Sequence, residues 1–296
     1  MYAHEVIDSL KKTLRTTKNQ NEYHEQYHKL LPLINSSHKF HLGSVDKDDL
    51  INKYTGKQIF NDPEQKTIKF PYKNTWIDWD DNSNMSYSDD ENKRIYVKKY
   101  GAHIYTLDKK YHNIFLYHYY EDMFRIFGSL SDKQWIQCPV FFNLYYNDER
   151  KNFFIHPGYM KPLESAPKES INALIQESSR EFTVINMFLE LLNCKNIGTV
   201  GNEPPEKLNK SRVKKGKQPL FTYKTLVIKP TSKRQQSLEA QGLWENRIHL
   251  CRGHFKEYSS DKPLFGKYTG RYWWQPSVRG RNTDGVVMKD YEVKAA

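Results

Sequence analysis

The chain has 296 residues, 38% of them hydrophobic and 27% charged, which is enough apolar material for one large domain or two ordinary ones. No run of about 18 apolar residues occurs, which excludes a transmembrane helix. The N-terminal residues carry charges where a signal peptide has its apolar segment. Because Cys138, Cys194 and Cys251 are few and far apart, we expect no disulfide framework and a cytoplasmic location.

The net charge of +11 is concentrated in the last third of the chain. Residues 205–296 carry 20 Lys and Arg against 8 Asp and Glu, a net +12, whereas the remaining residues carry 26 against 27, a net −1. This asymmetry is typical of a surface that binds a polyanion. A basic face without a partner is the simpler alternative, because charge alone indicates non-specific attraction.

Two helices are predicted near the N-terminus, over residues 3–17 and about 20–31. The first has apolar residues at helical spacing along one face: Val6, Ile7, Leu10 and Leu14. The second is expected to end before Pro32, since the residue preceding a proline disfavours the helical conformation. Residues 35–43 are predicted to form a loop.

The middle of the chain is predicted to be rich in strands. Six segments combine aromatic and β-branched residues, which favour strands: 67–70, 75–79, 94–100, 103–106, 111–119 and 136–146. Turn-forming residues at 99–102 and 107–110 join successive segments. This order predicts an antiparallel meander with one face buried.

A long amphipathic helix is predicted over residues 168–194. Its apolar residues recur at spacings of three and four: Ile171, Leu174, Ile175, Phe182, Ile185, Phe188, Leu189 and Leu192. The fold class is therefore α+β, with N-terminal helices, a central antiparallel sheet packed by the long helix, and a small basic C-terminal β unit. The predicted domains are a helical region at 1–55, an α+β core at 56–200 and a basic nucleic-acid-binding region at 201–296.

The C-terminal region begins with six basic residues among the eleven of 207–217. This run predicts a short basic helix or an arm that its ligand orders. Short strands follow, in which Arg and His alternate with Tyr, Trp and Gly. Because Arg binds phosphate and aromatic rings stack on bases, this composition suits RNA. The predicted nucleic-acid-binding residues are Lys210, Arg212, Lys214, Lys215, Lys217, Arg247, His249, Arg252, His254, Arg271, Trp273, Trp274, Arg279 and Arg281.

A ribonuclease is an alternative function for the same segment. His249 and His254 have the chemistry of an acid–base pair, Arg252 would stabilise charge on the phosphorane, and Tyr258 lies nearby in the sequence. Trp273 and Trp274 are expected to point to opposite faces if they lie on a strand. A core role for one of them is the simpler interpretation.

Metal and cofactor chemistry have weaker support in the sequence. His249, Cys251 and His254 match zinc ligands in type, but their spacing is unusual and no fourth ligand lies near them, so no metal is predicted. Carboxylate pairs such as Asp78 and Asp80 lie beside a polar loop and are expected to be solvated. Motifs of nucleotide-binding proteins, zinc proteases and serine hydrolases do not occur, and no cofactor is predicted.

Several short segments between residues 65 and 293 occur in a recognisable order. The most specific is His249-Leu250-Cys251-Arg252-Gly253-His254; looser ones are Trp76-Ile77-Asp78-Trp79, Leu208-Asn209-Lys210-Ser211-Arg212, Trp273-Trp274 and Lys289-Asp290-Tyr291. Together they resemble a broad family of phage and prophage proteins, one relative of which is an anti-CRISPR inhibitor of type V-A systems. The resemblance implies a phage-encoded protein of the host cytoplasm that acts against host defence at the level of RNA or protein synthesis.

The sequence therefore predicts an RNA-binding regulatory or anti-defence protein, with RNA as the first partner. A metal-independent RNase is one alternative. A module that binds a host defence protein or a nascent peptide is the other.

Overall fold

The computed structural model describes residues 1–16, 22–45, 70–81, 97, 99–120, 134–149, 152–160, 164, 166–228, 247–251, 254–274, 277–279 and 281–286. Contacts divide the chain into two compact units. The first comprises Met1–Glu190 and Thr199–Thr225, and the second comprises Leu191–Gly198 and Leu226–Ala296.

Helices and a mixed sheet make up the first unit, apart from residues 191–192, 197–198 and 226–228 at the ends of three of these elements, which fall in the second unit. The helices are α1 (Ala3–Thr16), α2 (Glu22–Ser36), α3 (Lys168–Leu192) and α4 (Glu206–Lys214). The strands are β1 (His38–Val45), β2 (Asn74–Asp81), β3 (Lys99–Thr106), β4 (Tyr111–Tyr120), β5 (Gln134–Asn147), β6 (Asn152–Tyr159), β7 (Ile197–Asn202) and β8 (Tyr223–Ile228). This mixture of helices and strands confirms the α+β class.

The sheet is mixed rather than antiparallel, which corrects the prediction. Within the described residues it has eight strands in the order β6-β5-β4-β3-β2-β1-β8-β7. Strands β2 to β6 form an antiparallel meander, as expected for this part of the chain, but it includes β6, which was not among the predicted strands. Strand β1 is parallel to both β2 and β8. The meander is thus extended beyond β2 by β1, β8 and β7, of which β7 and β8 are distant in sequence.

Strand β1 replaces the loop predicted over residues 35–43. Although its sequence is short and mostly polar, the strand is partly buried. Phe40 is fully buried, and the centre of its ring lies 5.0 Å from that of Phe188. The Lys39 ammonium is also buried and donates hydrogen bonds of 2.9 Å to the carbonyl oxygens of Asn35 and Ser37. Tertiary packing therefore determines that this segment forms a strand, because its mostly polar sequence shows no alternation of polar and apolar residues.

The second helix continues through Pro32 to Ser36, although we expected it to end before the proline. A proline inside a helix removes one backbone hydrogen bond. Leu30 and Ile34, on either side of Pro32, are buried in the hydrophobic core. Burial of this turn offsets the loss of the hydrogen bond.

The turn predicted at residues 99–102 is also wrong, because β3 runs unbroken from Lys99 to Thr106. Gly101 is needed there for packing and not for a turn. A β carbon at this position would lie 2.5 Å from Cζ2 of Trp76, so only glycine lets the indole lie against the strand. Of the neighbouring predicted strands, residues 67–69, 94–96 and 98 lie outside the described residues.

The first helix is confirmed, and its apolar stripe forms the core with aromatic side chains of the sheet. Val6, Ile7 and Leu10 are almost fully buried, in one cluster with Trp76 and Trp135. Burying side chains of this size contributes about 1.5–3 kcal/mol each. Helices α1 and α2 thereby cover one face of the central strands.

The long helix α3 contacts strand side chains through both apolar and polar groups. Phe182 lies 5.7 Å from Phe142 between ring centres. Glu181 is buried, and one of its carboxylate oxygens lies 2.9 Å from Nε2 of His118. A charged residue so deeply buried requires such a partner.

The second unit contains short strands. These are β9 (Arg247–Cys251), β10 (His254–Tyr258), β11 (Gly270–Trp274), β12 (Ser277–Arg279) and β13 (Arg281–Val286). Strands β10 and β11 form an antiparallel pair, and β9 lies between β12 and β13 in a second sheet. Among the described residues, no helix is long and apolar enough to cross a membrane.

Candidate nucleic-acid interface

The basic run at 207–217 folds as helix α4 and the turn that follows it. Asp8 of α1 accepts hydrogen bonds from the Arg212 guanidinium at 3.3 Å and from the backbone N–H of Gln218 at 2.9 Å. Asn209 binds both backbone groups of Leu220, accepting from its N–H at 2.7 Å and donating to its carbonyl at 3.0 Å. Of the two predictions left open for this run, the helix is the one observed.

The C-terminal end of α4 is closed by a Schellman motif. Gly216 has φ of +66°, its N–H donates to the Val213 carbonyl, and the Lys217 N–H donates to the Arg212 carbonyl at 3.0 Å. This arrangement satisfies carbonyl groups that the helix end would otherwise leave exposed. Basic side chains in the last turn also complement the negative end of the helix dipole.

Lysines occupy the side of α4 that faces away from its anchors. With 3.6 residues per turn, positions 209 and 212 lie on one side of the helix, and positions 207, 210 and 214 on the other. We call Lys207, Lys210 and Lys214 the α4 lysine face; all three are exposed, and no residue of α4 is buried. Lys210 also pairs with Glu206 at 2.7 Å, an exposed contact that contributes little. Lys215 and Lys217 extend the exposed charge beyond the helix.

Arg212 differs from the other predicted phosphate ligands on α4. Its Nε donates to the Gln218 carbonyl at 2.7 Å, and its terminal nitrogen pairs with Asp8. The guanidinium is half-buried. Arg212 therefore positions the helix, and the lysines remain the groups presented to solvent.

In the second unit, the β10–β11 pair arranges aromatic and basic side chains on two faces. The register places His254 opposite Trp274 and Phe255 opposite Trp273, so the two tryptophans point to opposite faces, as predicted. The Phe255 ring lies 4.7 Å from that of Trp273, and the Arg271 guanidinium lies 4.7 Å from the same phenyl ring. Arg271, Phe255 and Trp273 thus form a row of a cation and two rings.

Sequence reasoning missed the residue that holds this row. Asn196 donates to the Trp273 carbonyl at 2.6 Å and accepts from the Trp273 N–H at 2.9 Å. The Lys195 N–H donates to the Arg271 carbonyl at 2.9 Å. A lone asparagine after a helix gives no signal of this role, because its partner lies 77 residues away.

The ribonuclease residues that the structure describes lie on two strands. His249 lies on β9 and His254 on β10, which belong to different sheets. His254 and Tyr258 are four residues apart on β10, about 13 Å along the strand between their backbone positions. The remaining predicted residues can be placed less fully. Arg252 lies outside the described residues, and only the backbone is described for Arg247, His249, Arg279 and Arg281.

The carboxylate of Asp78, which we expected to be solvated, is the buried centre of a hydrogen-bond network, which we call the Asp78 hub. Asp78 is fully buried and accepts hydrogen bonds from the Tyr223 hydroxyl at 2.7 Å, the Trp76 indole at 2.8 Å and the Tyr2 N–H at 2.7 Å. His41 Nδ1 lies 2.6 Å from its other oxygen. Asp78 therefore belongs to the core and is not solvated. Among the described residues, no group of three or more metal-binding side chains is found.

Comparisons with known proteins identify no relative: no family model, curated protein or solved structure matches the chain.

Proposed function

We propose that this protein binds RNA through its basic C-terminal third and acts as a regulatory or anti-defence protein. The observation that carries the proposal is the α4 lysine face. A helix that buries no residue is nonetheless fixed to α1 by Asp8, so that three lysines point away from the fold. Such a helix contributes little to the core, and its regular presentation of charge suits phosphate groups.

The β10–β11 pair supports the same function independently. RNA-binding sheets combine exposed cations with aromatic rings on which bases stack. The row of Arg271, Phe255 and Trp273 has this composition, and its three side chains are partly exposed.

The test is a salt series of RNA binding that compares two variants of equal charge. The first carries Lys207→Gln, Lys210→Gln and Lys214→Gln. The control carries Lys29→Gln, Lys109→Gln and Lys168→Gln, three exposed lysines of the first unit outside α4. Each phosphate contact with a single strand contributes about 0.7 to the slope of log K against log salt. The α4 variant is expected to bind more weakly and to reduce the slope by about 2.

The proposal fails if wild type does not bind single-stranded RNA at low salt, or if the control variant loses as much affinity as the α4 variant. Loss of RNA integrity during the assay, abolished by His254→Ala, would instead favour the ribonuclease alternative. The anti-defence setting rests on the resemblance to phage proteins and is part of the proposal.

A further inference from the structure

Strands β10 and β11 are joined by a connection that carries a hydrogen-bonded turn, which we call the 264–268 tip (Leu264 to Tyr268). The Leu264 N–H donates to the Tyr268 carbonyl at 2.7 Å, and the Tyr268 N–H donates back at 2.9 Å. The Lys267 N–H also donates to the Leu264 carbonyl at 3.1 Å. The Leu264 side chain is buried, so the base of the tip is held by both hydrogen bonds and packing.

The apex of the tip is strained. Phe265 has φ of +53° and Gly266 has φ of +70°. Among the residues that the structure describes, Phe265 is the only one other than glycine that has a positive φ. Glycine and asparagine adopt this conformation at the lowest energetic cost, whereas a bulky residue adopts it at a high cost. Strain of this kind concentrates at functional sites, where the surrounding structure maintains it.

The strained residue also presents its ring to solvent. Phe265 is 57% exposed and Tyr268 is 40% exposed. Lys262 and Lys267 precede and follow Phe265 in the sequence and are both exposed, and the Lys267 ammonium lies 5.6 Å from the centre of the Tyr268 ring. The tip therefore combines an exposed aromatic ring with one cation, Lys267, and a second cation, Lys262, precedes the tip by two residues in the sequence.

We propose that the Phe265 ring stacks on an unpaired base of RNA while Lys262 and Lys267 contact the adjoining phosphates. This inference rests on the proposed function and names the form of RNA that the site takes. One ring is sufficient for one base, and the stack tolerates any base because every base has a flat face.

A protein partner fits the tip less well. A stable protein interface buries about 800 Å² on each side, whereas the exposed apolar surface here is limited to the side chains of Phe265 and Tyr268. The lysines on both sides favour an anionic ligand. The backbone hydrogen bonds fix the part of the chain that carries the ring before binding, which reduces the entropy lost when a base stacks on it.

The experiment measures binding of a short labelled single-stranded RNA, and of the blunt duplex formed from the same sequence, by full-length variants. Phe265→Ala is expected to weaken binding of the single strand about tenfold, within the range for one base stacked on an aromatic side chain. The salt slope and the duplex affinity are expected to be unchanged, because no phosphate contact is lost. Phe265→Trp should retain binding of the single strand.

Phe265→Gly separates the binding role from stability. Glycine removes both the ring and the strain, so this variant should melt at the wild-type temperature or above it and yet bind as weakly as the alanine variant. The matched control is Tyr111→Ala, since Tyr111 is 52% exposed beside the exposed Lys109 and Lys110 but has no positive φ. This control should bind like wild type.

Three outcomes would overturn the inference: wild-type affinity in Phe265→Ala, an equal loss for the duplex, or an equal loss in Tyr111→Ala. If the α4 variant loses affinity while Phe265→Ala does not, the tip proposal alone is rejected. If wild type binds neither RNA, the proposed function is rejected together with it.

Discussion

A single buried polar residue, His103, is expected to affect how the stability of this protein depends on pH. It lies on β3 opposite Trp76, fully buried, and neither ring nitrogen has a hydrogen-bond partner. Burial lowers the pKa of this imidazole to about 3, and the nearby Lys39 ammonium acts in the same direction. The ring is therefore neutral in the folded protein at any physiological pH.

His103→Leu is expected to reduce the sensitivity of the protein to acid. Below pH 6.5 the unfolded chain binds a proton at His103 that the folded chain does not bind, so stability falls as pH falls from 6.5 towards 3. At pH 5 this loss is about 2 kcal/mol. Denaturant unfolding measures the free energy of unfolding of both proteins at pH 7 and at pH 5. The decrease between the two pH values should be smaller by that amount in the leucine variant than in wild type.

Comparing each protein with itself at two pH values removes the effect of repacking, which is the same at both. An unchanged pH dependence in His103→Leu would mean that the folded protein protonates His103, contrary to its burial.

At the scale of elements, helix α4 depends on contacts outside itself. It is nine residues long, and an isolated helix of that length is marginal in water. Asp8 and the paired hydrogen bonds between Asn209 and Leu220 hold it in place. The basic run predicted a helix or a ligand-ordered arm, and these anchors decide between the two.

Asn209→Leu is expected to release the segment after α4. The leucine side chain can neither accept a hydrogen bond from the Leu220 N–H nor donate one to the Leu220 carbonyl. Each lost hydrogen bond costs about 1 kcal/mol of stability. Hydrogen exchange at the Leu220 amide should become faster. Asn209→Asp is the matched control, because it keeps the accepting oxygen and should keep most of the protection. Equal exchange in the two variants would show that the side-chain bond does not hold the segment.

At the scale of the whole molecule, Asp78 connects parts of the chain that are far apart in sequence. Its partners Tyr2, His41 and Tyr223 lie 76, 37 and 145 residues away. Burial by itself would raise the pKa of this carboxyl, but the hydrogen bonds from its partners and the nearby Met1 ammonium lower it below the usual value. The carboxylate is thus ionised inside the core and balanced by its donors.

Asp78→Asn is expected to lower the free energy of unfolding by about 3 kcal/mol at pH 7, because the amide brings a donor to a site already filled with donors. The stabilisation from Asp78 is present above the ordinary carboxyl pKa and is lost as pH falls through the lower pKa of the folded state. The variant should therefore lose less stability in acid than wild type. Denaturant unfolding measures both effects.

Glu203→Gln serves as the control for this experiment, since Glu203 is exposed. It should change stability by less than about 0.5 kcal/mol. A similar small change in Asp78→Asn would show that the hub does not stabilise the fold.

Local patterns in the sequence by themselves determined the α+β class, helix α1, the strands β2, β4 and β5 and the opposite faces of Trp273 and Trp274. Each of these depends on the period of apolar residues or on the alternation of a strand, and both are properties of neighbouring residues. The concentration of charge in the last third is likewise a property of composition alone.

Tertiary structure decided the features whose cause lies far along the chain. The polar strand β1, the continuation of α2 through Pro32 and the role of Gly101 beside Trp76 all depend on what packs against them. The same holds for Asp78 and Arg212, whose charge looks solvent-exposed in the sequence but is balanced by distant partners. The physical reason is that burial and hydrogen-bond pairing are set by long-range contacts, which no local pattern encodes.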